Sequence, residues 1–127
     1  MADTTLSNIA NVTGNYDSIP TTLTSEAVIT QIISGLTILK TADKQNWASG
    51  TLTYTVTISN TSDNSFETPT FTDTLDPVLI KLVENSVKVN GTDANYTYDD
   101  TTGLLTIELE TIEKEGSSVI TFQVQKV

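Results

Sequence analysis

The stretch LTYTVTISN, residues 52–60, alternates without a break between apolar and hydroxyl side chains. Leu52, Tyr54, Val56 and Ile58 fall on one side of an extended chain and Thr53, Thr55 and Thr57 on the other, the period-2 pattern of a strand with one face buried. VITFQVQ, residues 119–125, repeats the pattern with Ile120, Phe122 and Val124 inward. A helix would scatter these apolar residues around its surface, so the two stretches predict strands of a sheet with one wet face.

The rest of the chain agrees. Threonine supplies 25 of the 127 residues, most of them alternating with Val, Ile, Leu or Tyr, which suits half-exposed strands. Further strands are expected at 6–13, 25–33, 36–42, 69–74, 79–83, 86–90, 95–99 and 104–109. Asn90-Gly91 marks a hairpin, DDTTG at 99–103 a second reversal, and SNTSDNS at 59–65 and EKEGSS at 113–118 polar loops. Apart from a turn near DPVLIKL there is no helical periodicity. The expectation is an all-β, immunoglobulin-like β-sandwich over 36–127, preceded by an N-terminal arm over 1–35.

Composition removes many functions. With 16 acidic against 6 basic residues, the chain is a poor partner for nucleic acid or an anionic membrane surface. It has no cysteine and no histidine, so disulfides, thiolate metal sites, triads and most zinc sites are absent; no cofactor or metal is expected. No apolar run is long enough for a membrane span, and the first twenty residues lack the regions of a secretory signal. Asp99, Asp100, Glu108, Glu110, Glu113 and Glu115 lack the loop spacing of a calcium site and read as a solvated acidic face. Asn11, Asn60, Asn90 and Asn95 begin N-x-Ser/Thr triplets, a chance outcome in so Thr-rich a chain. Trp47 reads as a cap over the sandwich end or a subunit contact, and Tyr54, Tyr96 and Tyr98 as core or cross-strand residues. An enzyme with turnover is not expected.

Three strands send one polar group to an otherwise apolar face. In LSNIANV, residues 6–12, Asn8 shares a side with Leu6, Ala10 and Val12; in GLTILK, Lys40 follows Leu36 and Ile38; in TFTDTLD, Asp73 lies between Phe71 and Leu75. Isolated, each is costly to bury. One account is a lysine that snorkels outward, paired with Asp73, while Asn8 bonds to backbone. The other is chemical. Desolvation favours a neutral, nucleophilic amine and a protonated carboxyl that polarises a carboxamide. Lys40 would then attack Asn8, with Asp73 as the catalytic proton shuttle, leaving an isopeptide bond in a single turnover. Asn60, also inward by parity, is the second candidate acceptor, which would make the bond internal.

LTILKTADK, GTLTYTVTISNTSDNSFETPTFTDTLD, SVKVNG and YTYDDTTGLLTIELETIEKEGSSVITFQVQ together resemble one copy of the prokaryotic surface-protein repeat known as domain of unknown function eleven, over residues 36–126. The resemblance implies an immunoglobulin-like sandwich on a bacterial or archaeal surface, with a lysine in the first strand and an aspartate in TDTL, here Lys40 and Asp73. Related surface sandwiches form lysine-to-asparagine isopeptides. In a typical copy a closing segment like LSNIANVTGNYDS follows the strand that resembles ITFQVQ. Here the chain stops at Val127, that segment stands at the N-terminus, and Asn8 matches the asparagine; the order is rotated.

The expected function follows: a structural subunit of an extracellular, cell-surface or spore-surface filament, its partner another copy of itself. The arm, through Leu6, Ala10, Val12 and Val28, would complete a neighbour's sandwich head-to-tail, and Lys40 of one copy would join Asn8 of the next. The alternative is a monomeric adhesin or surface-layer repeat with at most an internal bond.

Overall fold

Parity says which side chains share a face but not which strands are neighbours. The computed structural model describes residues 4–127. It has thirteen strands, all paired antiparallel, and no helix among the described residues. The chain divides between Ser34 and Gly35 into two compact units.

In the larger unit β5 (Leu36–Ala42), β6 (Leu52–Asn60), β7 (Thr70–Thr74), β8 (Ile80–Leu82), β9 (Lys88–Val89), β10 (Thr92–Asp93), β11 (Thr97–Asp99), β12 (Leu104–Glu108) and β13 (Gly116–Lys126) form two sheets. One runs β10-β9-β13-β6-β5, with β8 also on β13; the other runs β11-β12-β7. The two quoted stretches are direct partners, with Val56 opposite Ile120 and Tyr54 opposite Phe122. Leu52, Val56, Ile58, Ile120, Phe122 and Val124 from the first sheet join Phe71, Leu105 and Ile107 from the second in one buried cluster, so the apolar faces of both sheets supply a single core.

Turn chemistry fixes the connections. Asn90 and Gly91 both take positive φ, 52° and 80°, as a two-residue primed hairpin turn requires. At the second reversal Gly103 has φ 78°, and a Cβ there would lie 1.8 Å from the Leu75 carbonyl oxygen. Only glycine fits, and its carbonyl accepts the Leu75 N–H at 2.8 Å, tying the turn to the end of β7. The Asp99 side chain caps the same turn; the N–H groups of Thr101 and Thr102 hold its carboxyl below the usual carboxylate range.

The smaller unit departs from expectation. The strand predicted at 6–13 is two strands, β1 (Thr4–Asn8) and β2 (Asn11–Tyr16), and residues 14–24, given no strand, complete a hairpin through β3 (Ile19–Thr24). The stretch 25–33 narrows to β4 (Val28–Ile32), which pairs with β1. The hairpin turns on Asp17 and Ser18, at φ 51° and 64°, a pair less telling than Asn-Gly because neither is glycine. Ser25 and Ala10 bond reciprocally, Ser25 N–H to the Ala10 carbonyl at 2.9 Å and Ala10 N–H to Ser25 Oγ at 3.0 Å, so the four strands form one continuous ribbon. Since Asn8 lies opposite Val28 and Ala10 opposite Ser25, Ile9 faces both Glu26 and Ala27. This is the two-against-one count of a β-bulge.

Among the described residues the ribbon has no core. Leu6, Val12, Tyr16, Ile19, Leu23 and Val28 are all exposed, although register puts Val12 beside Leu23 and Tyr16 beside Ile19 on one face. A two-stranded ribbon with an uncovered apolar face is marginal in water by itself.

Candidate functional site

Both sheets end on the same side. β5 is the last strand of one and β7 of the other, so each has an unpaired edge. Register makes Ile38 the partner of Ile58 and Lys40 the partner of Val56, so Leu36, Ile38 and Lys40 lie on the core side of β5. Buried Phe71 and Leu75 mark the core side of the opposing strand, and Asp73 alternates with them. Yet Ile38 is 66% exposed, while its partner Ile58 is 8%. An apolar side chain aimed at the core and still wet means that the seam between β5 and β7 is open.

Lys40 and Asp73 meet across this seam, Nζ to Oδ2 at 2.5 Å, with side chains 40% and 15% exposed. The fully buried cation that parity implied is therefore half in water, because an edge strand has no further neighbour to cover it. The ammonium also lies over the ring of Tyr54, 4.4 Å from its centre, and 5.9 Å from that of Phe122. Aromatic faces on one side and a carboxylate on another fix the direction of the amine.

A cavity lies on either side of the pair. One, about 380 Å³, is lined by Leu36, Ile38, Ile58, Phe66, Phe71 and Leu109 among others. The other, about 500 Å³, is lined by Lys40, Trp47, Leu52, Tyr54, Leu75 and Ile80 among others. Trp47 packs against the core, its indole N–H donating to the Gly50 carbonyl at 3.1 Å, and so caps the second cavity. The seam is thus a mainly apolar trough with the Lys40–Asp73 pair at its middle, and Asp76 and Lys126 also line its second cavity.

Asn60 is not part of it. The residue is fully buried, opposite Leu36 rather than Lys40. Four residues along the strand separate it from the register position of Lys40, roughly 13 Å. Its amide donates to the carbonyls of Asn64, Ile112 and Glu113, and its Oδ1 accepts from the N–H and hydroxyl of Ser62. That saturated carboxamide closes the 61–65 loop onto the 112–113 segment. Asn60→Ala leaves several buried partners unsatisfied and is expected to destabilise the larger unit by about 3 kcal/mol or more, measured by urea denaturation; a loss under about 1 kcal/mol is the contrary result.

Asn8 belongs to the ribbon. It lies opposite Val28, with Leu6 two residues along the same face, an amide inside a small exposed apolar patch. Among the described residues no group of carboxylates is arranged to hold a metal ion. Tyr54 against the amine and the exposed Ile38 were not legible in the sequence, since both depend on which strand lies at an edge.

No protein-family model, curated protein or solved structure matches the chain.

Proposed function

We propose that the chain is the structural subunit of an extracellular filament, assembled head-to-tail when the N-terminal ribbon of one copy enters the seam of the next. On this reading the larger unit is an immunoglobulin-like sandwich, of the kind the surface repeat implies, that lacks a strand between β5 and β7. The observation that carries the reading is the open trough itself: Ile38 faces the core and remains wet beside an oriented lysine. The ribbon offers the complementary element, a strand with a free edge and a patch of Leu6, Asn8 and Val28. Donor and acceptor surfaces differ, so the contact propagates, and a strand added to a sheet edge satisfies unpaired backbone groups on both sides.

Covalent closure follows from what the trough would hold. With Asn8 beside Lys40, Asp73 takes a proton from the ammonium, Nζ attacks the Asn8 carboxamide carbon, Asp73 passes that proton to the departing nitrogen, and the carboxylate so freed takes the second proton from Nζ and ends protonated. The Nζ–C bond forms, the C–Nδ2 bond breaks, and ammonia leaves. Magnitudes explain the need for it. Burying Leu6, Val28 and Ile38 contributes about 1.5–3 kcal/mol each, of the same order as the roughly 4–15 kcal/mol cost of association. Non-covalent docking alone is therefore reversible, and the amide makes the joint permanent.

The test is denaturing electrophoresis of boiled fibres followed by peptide mass analysis. The expected result is a ladder and a peptide pair joining Lys40 to Asn8, lighter by one ammonia. Intact mass equal to the monomer, with no ammonia lost, rejects covalent assembly. A monomer under native conditions over a wide concentration range rejects the filament.

A further inference from the structure

We infer that the ribbon docks on two copies of this chain at once: its base, β1 and β4, in the seam of one acceptor, and its tip, β2 and β3, against a further copy. The inference rests on the proposed filament reading and adds to it the reach of each arm.

Length carries the argument. At about 3.3 Å per residue the ribbon from Thr4 to Tyr16 is roughly 40 Å long, and Tyr16 lies roughly 26 Å from Asn8. If Asn8 sits at Lys40, it sits level with Val56, the middle of β6, because Lys40 is registered there. From Val56 the strand continues to Asn60 in one direction and to Leu52 in the other, roughly 13 Å each way. Whichever way the ribbon runs, its tip passes the end of the acceptor's β6 by roughly 13 Å, and it passes the Lys126 end of the longer, central β13, six residues from Ile120, by roughly 7 Å.

The tip is not built to hang in water. Val12, Tyr16, Ile19 and Leu23 share one face; Tyr16 is 78% exposed. The opposite face carries Asn11, Thr13, Asn15, Thr22 and Thr24. The hairpin has a single charge, Asp17, in a chain of net charge −10. Copies of so acidic a chain repel one another, and an uncharged apolar face is the kind of surface on which they can meet. The bulge opposite Ile9 separates base from tip and adds local twist to the ribbon, so the apolar face of the tip need not point the same way as that of the base.

The experiment uses full-length chains. A trace of labelled chain, carrying a benzophenone amino acid in place of Tyr16 and retaining Asn8, is assembled with an excess of Asn8→Ala chain. Only the labelled arms can form the amide, so boiling in detergent before irradiation is expected to release the label as a dimer. Irradiation before boiling is expected to convert that dimer to a trimer, because the tip touches a copy other than the one joined through Lys40. Label that remains a dimer after irradiation overturns the inference while leaving the joint intact. Label released as monomer before irradiation overturns the joint and the inference with it.

Discussion

Lys40→Ala is expected to remove every boiling-resistant multimer and to leave fibres that fall apart in hot detergent. Lys40 supplies the amine that Asn8 would meet beside Asp73, the trough's other lysine, Lys126, being held on the Ala48 carbonyl and over Trp47, whereas the apolar filling, through Ile38, Leu36 and the ribbon patch, is untouched. Folding of the larger unit should weaken but persist: Lys40 is 40% exposed, whereas Asp73 is only 15% exposed and is left without its partner, a loss of about 1–3 kcal/mol. The residue therefore separates chemistry from docking: loss of the ladder with fibres still visible by electron microscopy is the expected pair of results. A ladder that survives in Lys40→Ala rejects the assigned nucleophile. Asp73→Asn provides the companion measurement. It keeps the shape of the site but cannot take up the proton, so amide formation should slow by about 10²–10⁴-fold, followed as the growth of the ladder with time.

The converse substitution, Ile38→Asp, is expected to abolish fibres and ladder together. As a monomer the variant has little to lose, because Ile38 is 66% exposed, and a carboxylate on an open edge is solvated. Docking changes that. A strand laid across the seam takes residue 38 out of water, and an unpaired buried carboxylate costs several kcal/mol. At about 1.4 kcal/mol per tenfold, a penalty of about 4 kcal/mol weakens association by about a thousandfold. Thermal unfolding of the monomer within a degree or two of the parent, with no fibres at concentrations where the parent assembles, is the expected outcome. Fibres in undiminished amount show that the seam is not where the ribbon docks. Deletion of residues 1–13 should give the same loss from the donor's side.

Local pattern carried much of the fold. The alternation of 52–60 and of 119–125 placed six of the residues that prove buried, Leu52, Val56, Ile58, Ile120, Phe122 and Val124, because burial on one face of a strand imposes period 2 whatever the strand's neighbours are. Asn90-Gly91 and the glycine of 99–103 were legible for a similar reason: positive φ is a demand on a single residue. The Asp17–Ser18 turn escaped because two residues of ordinary propensity meet the same demand. The bulge opposite Ile9 escaped because it is a property of two strands counted against each other.

The sequence by itself thus determined that the chain is all-β, which residues point to each face, and that Asn8, Lys40 and Asp73 are polar intruders on apolar faces. Only the tertiary structure decided that β5 and β7 are edges on the same side, that Lys40 meets Asp73 and Tyr54 there, that Asn60 is occupied elsewhere, and that Ile38 is left wet. The division has a physical cause. Which face a side chain takes is set by the backbone of its own strand, over a few residues. Whether that face is covered depends on strand order, which follows from contacts between segments far apart in the chain and leaves no local trace at the position where cover is missing.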